Sequence, residues 1–262
     1  MAETKKLSSG TRLHLGNATS PPADEKYKDL IEKFSNFSSS CGILHAFVAV
    51  DAAPKLEDYS LVGTIEKLSA DLSLEVIPVK PWGKFVAALN AILMSSAKAG
   101  ASHCLFCSAE TQASPKSISK LLEHMDEDTL VVGAVLQGHD YQPNSIQKLN
   151  GRTTPWNTLA IWDVNKLALT GFPLVADGIH RVDGISVDAG VEEVSAIALI
   201  QNILGSDRAK AKLVPVPDIT WDQDFPDEQR RKWHEKKMMS KVERPAKHLD
   251  LMHLNNGKVE HF

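Results

Sequence analysis

Acidic residues cluster where a predicted helix begins, in the run Asp188-Ala189-Gly190-Val191-Glu192-Glu193. The helix dipole stabilises carboxylates in a first turn, so one interpretation is a simple capping role. A rigid helix start also holds a general base in position, so the same residues are candidate catalytic bases. Glu192 and Glu193 are adjacent and point about 100° apart on a helix, so we expect at most one of them to face a substrate. Asp188 is the third candidate.

Two lysines flank the turn Lys80-Pro81-Trp82-Gly83-Lys84, which comes directly before a predicted helix over residues 85–98. The first amides of a helix have no partner within it and favour an anion. The turn therefore predicts a phosphate site formed by Lys80, Trp82 and Lys84. The alternative is a positively charged turn that needs its glycine for a special backbone angle.

Other polar residues follow predicted strands. Asp51 follows the strand 43–50 and could accept hydrogen bonds from a nucleobase or a sugar hydroxyl, or else cap the next turn. Glu110 follows the strand 104–107, in a loop with Ser108, and could give a divalent cation an oxygen ligand. The alternative for Glu110 is an ordinary solvated loop carboxylate.

The elements that must position these residues alternate along the first half of the chain. Apolar periodicity predicts strands over 43–50, 74–79, 104–107 and 130–136, with helices beginning near 24, 61, 85 and 115. This alternation predicts an α/β fold, with a mostly parallel sheet flanked by helices. Ligands bind outside the carboxyl ends of such strands. The polar residues that follow the four strands, including His139 and Asp140, should therefore share one rim.

The second half has a different pattern. Residues 137–190 are rich in loops, and a helix is predicted from about 191 to 204. The prolines in 213–217 predict an edge or terminal strand, because proline cannot donate to a central ladder. The stretch 230–247 carries eight basic residues against two acids, which is typical of a solvated helix face. With little aromatic interleaving, it does not predict a nucleic-acid partner.

The order of these features resembles the family 2 glycosyltransferases, which have the glycosyltransferase A fold. Gly83-Lys84-x-x-Ala87-Ala88-Leu89-Asn90 is similar to the start of a helix in that family. Ser108-Ala109-Glu110 stands where the family's Asp-x-Asp metal motif is expected. Gly171-Phe172-Pro173 and Ala189-Gly190-Val191-Glu192-Glu193 resemble its acceptor region and the motif of its catalytic base.

The resemblance implies a glycosyltransferase A-like (Rossmann-like) fold. It also implies an enzyme that transfers a sugar from a nucleotide-diphosphate donor to the hydroxyl of an unidentified acceptor, with inversion. The residues 11–15 would form the first strand, and Glu192 or Glu193 would deprotonate the acceptor. The expected donor contacts are Asp51, Lys80, Trp82, Lys84, Asn90 and Ser108, and the expected acceptor contacts are Trp156 and Trp162.

One departure from the family pattern bears on the metal. Ser108 replaces the first acid of the motif, so Glu110 is the sole carboxylate left to hold Mn²⁺ or Mg²⁺. Fewer carboxylates weaken an oxygen site, so the donor diphosphate could supply most of the ligands. Basic side chains could instead stabilise the leaving group. A non-catalytic relative that binds a nucleotide or a partner protein is the alternative function.

The predicted organisation has three parts. Residues 1–10 form a disordered N-terminus, residues 11–220 form one α/β domain, and residues 221–262 form a basic tail. Within the domain, residues 11–140 are the nucleotide-sugar half and residues 141–220 are the acceptor half, rich in loops.

Composition sets the broad class. The chain has 262 residues, 43% of them hydrophobic, and a net charge of −4, which excludes disordered and collagen-like classes. Three cysteines argue against a disulfide framework. Cys104 and Cys107 lie three apart in a predicted strand and point to opposite faces, so we expect core cysteines. No signal peptide or membrane span is evident, so we expect a soluble cytoplasmic protein, for which a homo-oligomer is compatible with the sequence.

Overall fold

The predicted strands and helices of the first half are present in the structure, a computed structural model that describes residues 5–15, 20–21, 23–53, 56, 59–182, 185–221 and 240–262. In chain order the first half contains β1 (Leu7–Leu13), α1 (Asp24–Ser40), β2 (His45–Asp51), α2 (Leu61–Leu68), β3 (Glu75–Val79), α3 (Val86–Lys98), β4 (His103–Cys107), β5 (Thr111–Ala113), α4 (Pro115–Glu123) and β6 (Thr129–Ala134). The second half adds β7 (Ser145–Lys148), β8 (Leu159–Asp163), α5 (Val164–Leu167), a 3-10 helix (Leu174–Asp177), β9 (Ile179–Val182), β10 (Ile185–Val187), α6 (Glu192–Leu204), β11 (Lys210–Val214), β12 (Ile219–Trp221), α7 (Glu243–Leu251) and β13 (Lys258–His261).

Nine strands form one sheet in the order β3-β2-β1-β4-β8-β6-β11-β13-β7. All neighbours are parallel except those of β8 and β7, so the predicted α/β class with a mostly parallel sheet is confirmed. After β1 the chain adds β2 and β3 on one side, and it then returns to place β4 on the other side. Strand order therefore reverses between β1 and β4, and open α/β sheets bind ligands at such a switch point.

Helices cover both faces of the sheet. Helices α3, α6 and α7 pack on one face, around Phe106 and Trp162. Helices α1, α2 and α4 pack on the other face, around Leu105 and Ile161. Parallel sheets are normally covered by helices on both faces, so the apolar side chains of these strands are buried on either side. The residues that can reach the rim are therefore those at the strand ends.

Cys104 and Cys107 belong to opposite faces of β4 and are both buried, so the expectation of core cysteines is confirmed. Burial raises the pKa of the Cys104 thiol to about 11. A thiol in this state is a poor nucleophile and metal ligand.

The structure differs from the predicted boundaries at both ends. β1 begins at Leu7, inside the stretch 1–10 that was expected to be disordered, because these residues pair with β2 and β4. At the other end α7 and β13 lie within the predicted tail, and β13 pairs with β11 and β7 in the central sheet. Most of the basic stretch, residues 230–239, lies outside the described residues.

Two strands of the second half also differ from expectation. β11 lies between β6 and β13, so the predicted edge position is wrong. The strand ends at Val214, before Pro215, and the prolines therefore stay out of the ladder. β8 forms within the segment expected to be loop-rich, and it inserts antiparallel between β4 and β6. This insertion brings the amino end of β8 to the carboxyl end of β4.

A long-range contact fixes the start of α3. The Asp177 carboxylate, at the end of the 3-10 helix, accepts hydrogen bonds from the backbone N–H groups of Lys84, Phe85 and Val86, at 3.2, 3.0 and 2.9 Å. A Cβ on Gly83 would lie 2.3 Å from Asp177 Oδ2, so glycine allows this approach. A side chain distant in sequence thus caps a helix that has no cap of its own.

Asp177→Ala should lower the free energy of unfolding by about 1–2 kcal/mol, because the amides at the start of α3 lose their acceptor. Urea denaturation measures this change. Asp71→Ala, at an exposed position after α2, is the matched control and should change stability by less than about 0.5 kcal/mol. Equal stability of the two variants would contradict the capping role.

Candidate functional site

A pocket of 370 Å³ opens at the switch point of the sheet. Thr11 and Arg12 come from the end of β1, Cys107 and Ser108 from the end of β4, and Asn157 from the segment just before β8. This is the place where open α/β sheets bind ligands. Both its shape and its position in the sheet topology therefore make this pocket the candidate functional site.

Both glutamates at the start of α6 border this pocket and are almost fully buried, with 6% of Glu192 and 5% of Glu193 exposed. The expectation that at most one of them faces a substrate stays a prediction. Val191, just before the helix, has a left-handed backbone with φ 58°. This conformation is costly for a β-branched residue, and such strain is concentrated at functional sites.

Asn157 holds the two carboxylates together. Its backbone N–H donates to Glu193 Oε1 at 2.6 Å, and its side-chain Nδ2 donates to Glu192 Oε1 at 3.2 Å. Its own Oδ1 accepts a hydrogen bond from the Trp162 indole N–H at 2.9 Å. Sequence reasoning missed Asn157, because nothing local to it shows that β8 will bring it to the helix start.

The two carboxylates differ in their charge environment. Burial and, to a smaller extent, the charge of the neighbouring Glu192 raise the pKa of Glu193 to about 8, against the opposing effects of the Asn157 N–H and Lys241. Arg12 Nη1 lies 3.7 Å from Glu192 Oε1. Burial and the negative charge of Glu192 both favour the protonated form of Glu193. We therefore assign a proton to Glu193 near neutral pH.

Four cationic side chains line the same pocket, namely those of Arg12, Lys84, Lys241 and Arg244. Arg244 donates to the backbone oxygens of Ala189 and Ser240, at 2.5 and 3.2 Å. Burial lowers the pKa of the Arg244 guanidinium, and the charges of Asp188 and Glu192 oppose this. The cluster suits an anionic ligand.

Three buried polar atoms of pocket residues find no hydrogen-bond partner within the part of the chain that the structure describes. They are Thr11 Oγ1, Arg12 Nη1 and the indole nitrogen of Trp82. Buried polar groups are nearly always paired in native proteins. A ligand or a bound water in the pocket would satisfy them.

The expected donor contacts divide into two groups. Trp82, Lys84 and Ser108 line the pocket, whereas Asp51, Lys80 and Asn90 do not. The Asp51 carboxylate accepts the Ala53 N–H at 3.0 Å, which is the turn-capping alternative. Lys80 is exposed to solvent outside the pocket.

Asn90 has a structural role in place of the expected ligand contact. Its side chain donates to the Phe172 backbone oxygen at 3.0 Å and accepts the Phe172 N–H at 2.8 Å. These two bonds hold the loop before the 3-10 helix against α3. The assignment of Asn90 to the donor site is therefore corrected.

The predicted phosphate site at the start of α3 is also corrected. The amides that would meet a phosphate already donate to the Asp177 carboxylate. The Asp177 carboxylate thus occupies the position expected for the phosphate. Lys84 contributes only its side chain to the pocket.

The metal prediction has limited support from these residues. The Ser108 hydroxyl donates a hydrogen bond to the Glu110 carboxylate at the pocket wall. Across the described residues, no three His, Cys, Asp or Glu side chains converge to hold an ion. The assignment of Mn²⁺ or Mg²⁺ to Glu110 therefore stays a prediction.

The two tryptophans expected to bind an acceptor have different positions. Trp162 is fully buried in β8 and contacts Asn157, so it cannot touch a ligand. Trp156 borders the pocket, but the Lys241 ammonium lies 3.0 Å from its ring centroid. The His139 ring packs against it as well, tilted by 30° and with centroids 3.8 Å apart.

The remaining candidates lie outside the pocket. Asp188 is exposed and is not a pocket residue, and its backbone oxygen accepts a hydrogen bond from His248 at 3.0 Å. Burial lowers the pKa of His139 to about 3, and this neutral imidazole bonds to the backbone of Leu136 and Thr154. The Asp140 carboxylate pairs with Arg152 at 2.8 Å.

Comparison with known proteins adds little to this geometry. No family model matches the chain, and no curated protein does. Among solved structures, the chain is similar to mannose-1-phosphate geranyltransferase from Thermus thermophilus, with 11% identity and a TM-score of 0.41. The match covers 63% of this chain and 59% of that one. Within the described ranges, no helix is long and apolar enough to cross a membrane.

Glu193→Gln should stabilise the protein increasingly as the pH rises. The pKa of Glu193 is about 8 in the folded chain against an ordinary value of 4.5. A carboxyl whose pKa is raised on folding stabilises the native state fully below the unfolded pKa, and this contribution is lost as the pH rises through the folded pKa. Wild-type stability should therefore fall between about pH 5 and pH 8 relative to the variant.

Urea denaturation at several pH values in this window measures the difference. Glu75→Gln, at an exposed position of β3, is the matched control and should follow the wild type. A constant difference between wild type and Glu193→Gln across the window would contradict the raised pKa.

Proposed function

We propose that this protein binds a nucleotide-diphosphate sugar and transfers the sugar to an acceptor hydroxyl with inversion. The observation that carries the proposal is the buried Glu192–Glu193 pair, which faces a cluster of cations in a pocket at the switch point of the sheet. Perturbed carboxyls in such a cleft are typical of catalytic sites. The order of sequence motifs supports this choice of reaction.

Glu193 is the proposed general base. A base is most effective when its pKa lies near the working pH, and burial brings the pKa of Glu193 to about 8. In the transfer step, the ionised carboxylate removes the proton from the acceptor hydroxyl. The acceptor oxygen then forms a bond to the anomeric carbon as the bond from that carbon to the diphosphate oxygen breaks. The nucleoside diphosphate leaves with the electron pair.

Arg12 and Lys84 are the proposed partners of the leaving diphosphate. The Arg12 guanidinium lies 5.9 Å from the centroid of the Phe85 ring. Phe85 directly follows Lys84 in the sequence, so both cations line the part of the pocket near the start of α3. Fixed positive charge at the point where negative charge develops lowers the barrier of a displacement. Trp82 belongs to the same end, where its indole N–H could donate to a donor oxygen.

A binding protein without transfer activity is the second candidate. Ser108 stands in place of an acid of the metal motif, and its hydroxyl is bonded to Glu110. Such a protein would bind the donor and release no sugar. The transfer assay below distinguishes it from the enzyme.

Glu193→Gln should reduce the transfer rate by about 10²–10⁴-fold, because the base is lost, while the dissociation constant of the donor changes little. UDP-, GDP- and TDP-sugars are the donors to test, by calorimetry and by release of the nucleoside diphosphate. The wild-type rate should rise with pH to a plateau above about 8. Glu75→Gln, on the exposed edge strand, is the control and should retain full rate.

The two results that go against the enzyme are distinct. Donor binding without release of nucleoside diphosphate would favour the binding protein. Absence of binding for every donor would overturn both candidates.

Trp82→Phe should weaken donor binding by about five- to tenfold, because it removes one buried hydrogen-bond donor and keeps an aromatic ring. Calorimetric titration with the donor that binds wild type measures the effect. Leu44→Ala, at an exposed position before β2, should leave donor affinity unchanged. Unchanged affinity in Trp82→Phe would contradict a contact between the indole N–H and the donor.

A further inference from the structure

Trp162 sets the orientation of the Asn157 side-chain amide. An indole N–H can only donate a hydrogen bond, and the indole nitrogen of Trp162 lies 2.9 Å from Asn157 Oδ1. The amide oxygen therefore faces the indole, and the amide nitrogen faces Glu192, with 3.2 Å between Nδ2 and Oε1. The reverse orientation would point Oδ1 at a carboxylate and leave the buried indole N–H without an acceptor, which is costly.

The core of the sheet holds Trp162 in place. Its side chain is fully buried in β8, which pairs with β4 on one side and β6 on the other. Phe172 packs edge-on against the indole with ring centroids 5.1 Å apart, and Phe106 packs edge-on against Phe172 at 5.5 Å. A large ring in a close-packed core has few other positions available, so the direction of its N–H is fixed.

The two carboxyl groups consequently have different surroundings. Glu192 accepts from the oriented amide and lies 3.7 Å from Arg12 Nη1, and both groups favour its charged form. For Glu193, burial and the charge of Glu192 outweigh the Asn157 N–H and Lys241, which favour ionisation. The charge of the pair is thus placed on Glu192 and the proton on Glu193.

We propose that Asn157 is the positioning residue that gives the two glutamates different roles, and that Trp162 acts through it by fixing its amide. Glu192 stays charged beside Arg12, and Glu193 is left to take the proton of the acceptor hydroxyl. This inference rests on the proposed transfer function, in which Glu193 is the general base. It assigns a part in the reaction to Trp162, a core residue that touches no ligand.

Other side chains that can carry charge also line this pocket. Among the described residues they are Arg12, His14, Lys84, Glu110, Lys241 and Arg244, together with the buried Cys107 thiol. The variants below leave all of them unchanged. A difference in titration between wild type and a variant therefore reports on the two glutamates and on Asn157.

Glu192→Gln should lower the midpoint of the Glu193 titration by about one pH unit, because the neighbouring charge that raises its pKa is lost. Asn157→Ala should lower it by a smaller amount, since without the amide donor the proton of the pair moves in part to Glu192. In the Glu192→Gln background, Asn157→Ala should cause little further lowering, because no charge is left for the amide to hold. Infrared difference spectroscopy of each variant against its own Glu193→Gln counterpart measures the midpoint.

Trp162→Phe should shift the midpoint in the same direction as Asn157→Ala, because it removes the N–H that orients the amide and keeps an aromatic ring. Phe172→Leu is the matched control, since it disturbs the packing around the same indole and changes neither partner of the bond to Asn157. It should lower the thermal unfolding temperature and leave the midpoint where it is. Thermal unfolding also shows whether each variant is folded before its titration is interpreted.

The pH profile of sugar transfer is the second measurement. The plateau that the wild type reaches above about pH 8 should begin at lower pH in Glu192→Gln, Asn157→Ala and Trp162→Phe, in step with the infrared midpoints. A merely structural role would reduce the rate at every pH alike and leave the position of the profile unchanged.

The outcomes separate this inference from the proposed function. Unchanged midpoints in folded Asn157→Ala and Trp162→Phe, or a shift of the same size in Phe172→Leu, would overturn the positioning role whether or not sugar is transferred. A full additional shift from Asn157→Ala in the Glu192→Gln background would overturn it as well. Shifted midpoints in a protein that releases no nucleoside diphosphate would support the division of charge and overturn the transfer function. Midpoints and transfer profiles that move together would support both.

Discussion

Two neighbouring carboxyl groups buried at one helix start are the constraint on which the site depends. Removing charged groups from water is expensive, and two like charges side by side add repulsion. The protein meets this cost with a proton on Glu193, with the two donors of Asn157 and with the charge of Arg12 on Glu192. The surrounding elements are best understood as the means of bringing these partners together.

Three separate parts of the chain supply those partners. The end of β1 carries Arg12, the antiparallel strand β8 brings Asn157 to the rim, and the segment before α7 adds Lys241. Each part is positioned by packing in or on the central sheet. The site is therefore a product of the whole fold, and the C-terminal segment is as necessary to it as the strands of the first half.

Local patterns in the sequence were sufficient for most elements of the first half and for the helix that begins at Glu192. Apolar periodicity located the strands around β4 and the helix that begins near Glu192. It could not show that Asp177 would cap α3, that Asn90 would hold Phe172, or that β8 would insert beside β4, because each contact joins residues far apart in sequence. The errors in the phosphate and acceptor assignments have this same origin.

The central claim is that Glu193 holds a proton near neutral pH, and infrared difference spectroscopy of wild type against Glu193→Gln tests it most directly. The account predicts a protonated carboxyl band in the wild type at pH 7, absent from the variant, that disappears with a midpoint near pH 8. A carboxylate at position 193 that is already ionised at about pH 6, as an unperturbed glutamate would be, would contradict it.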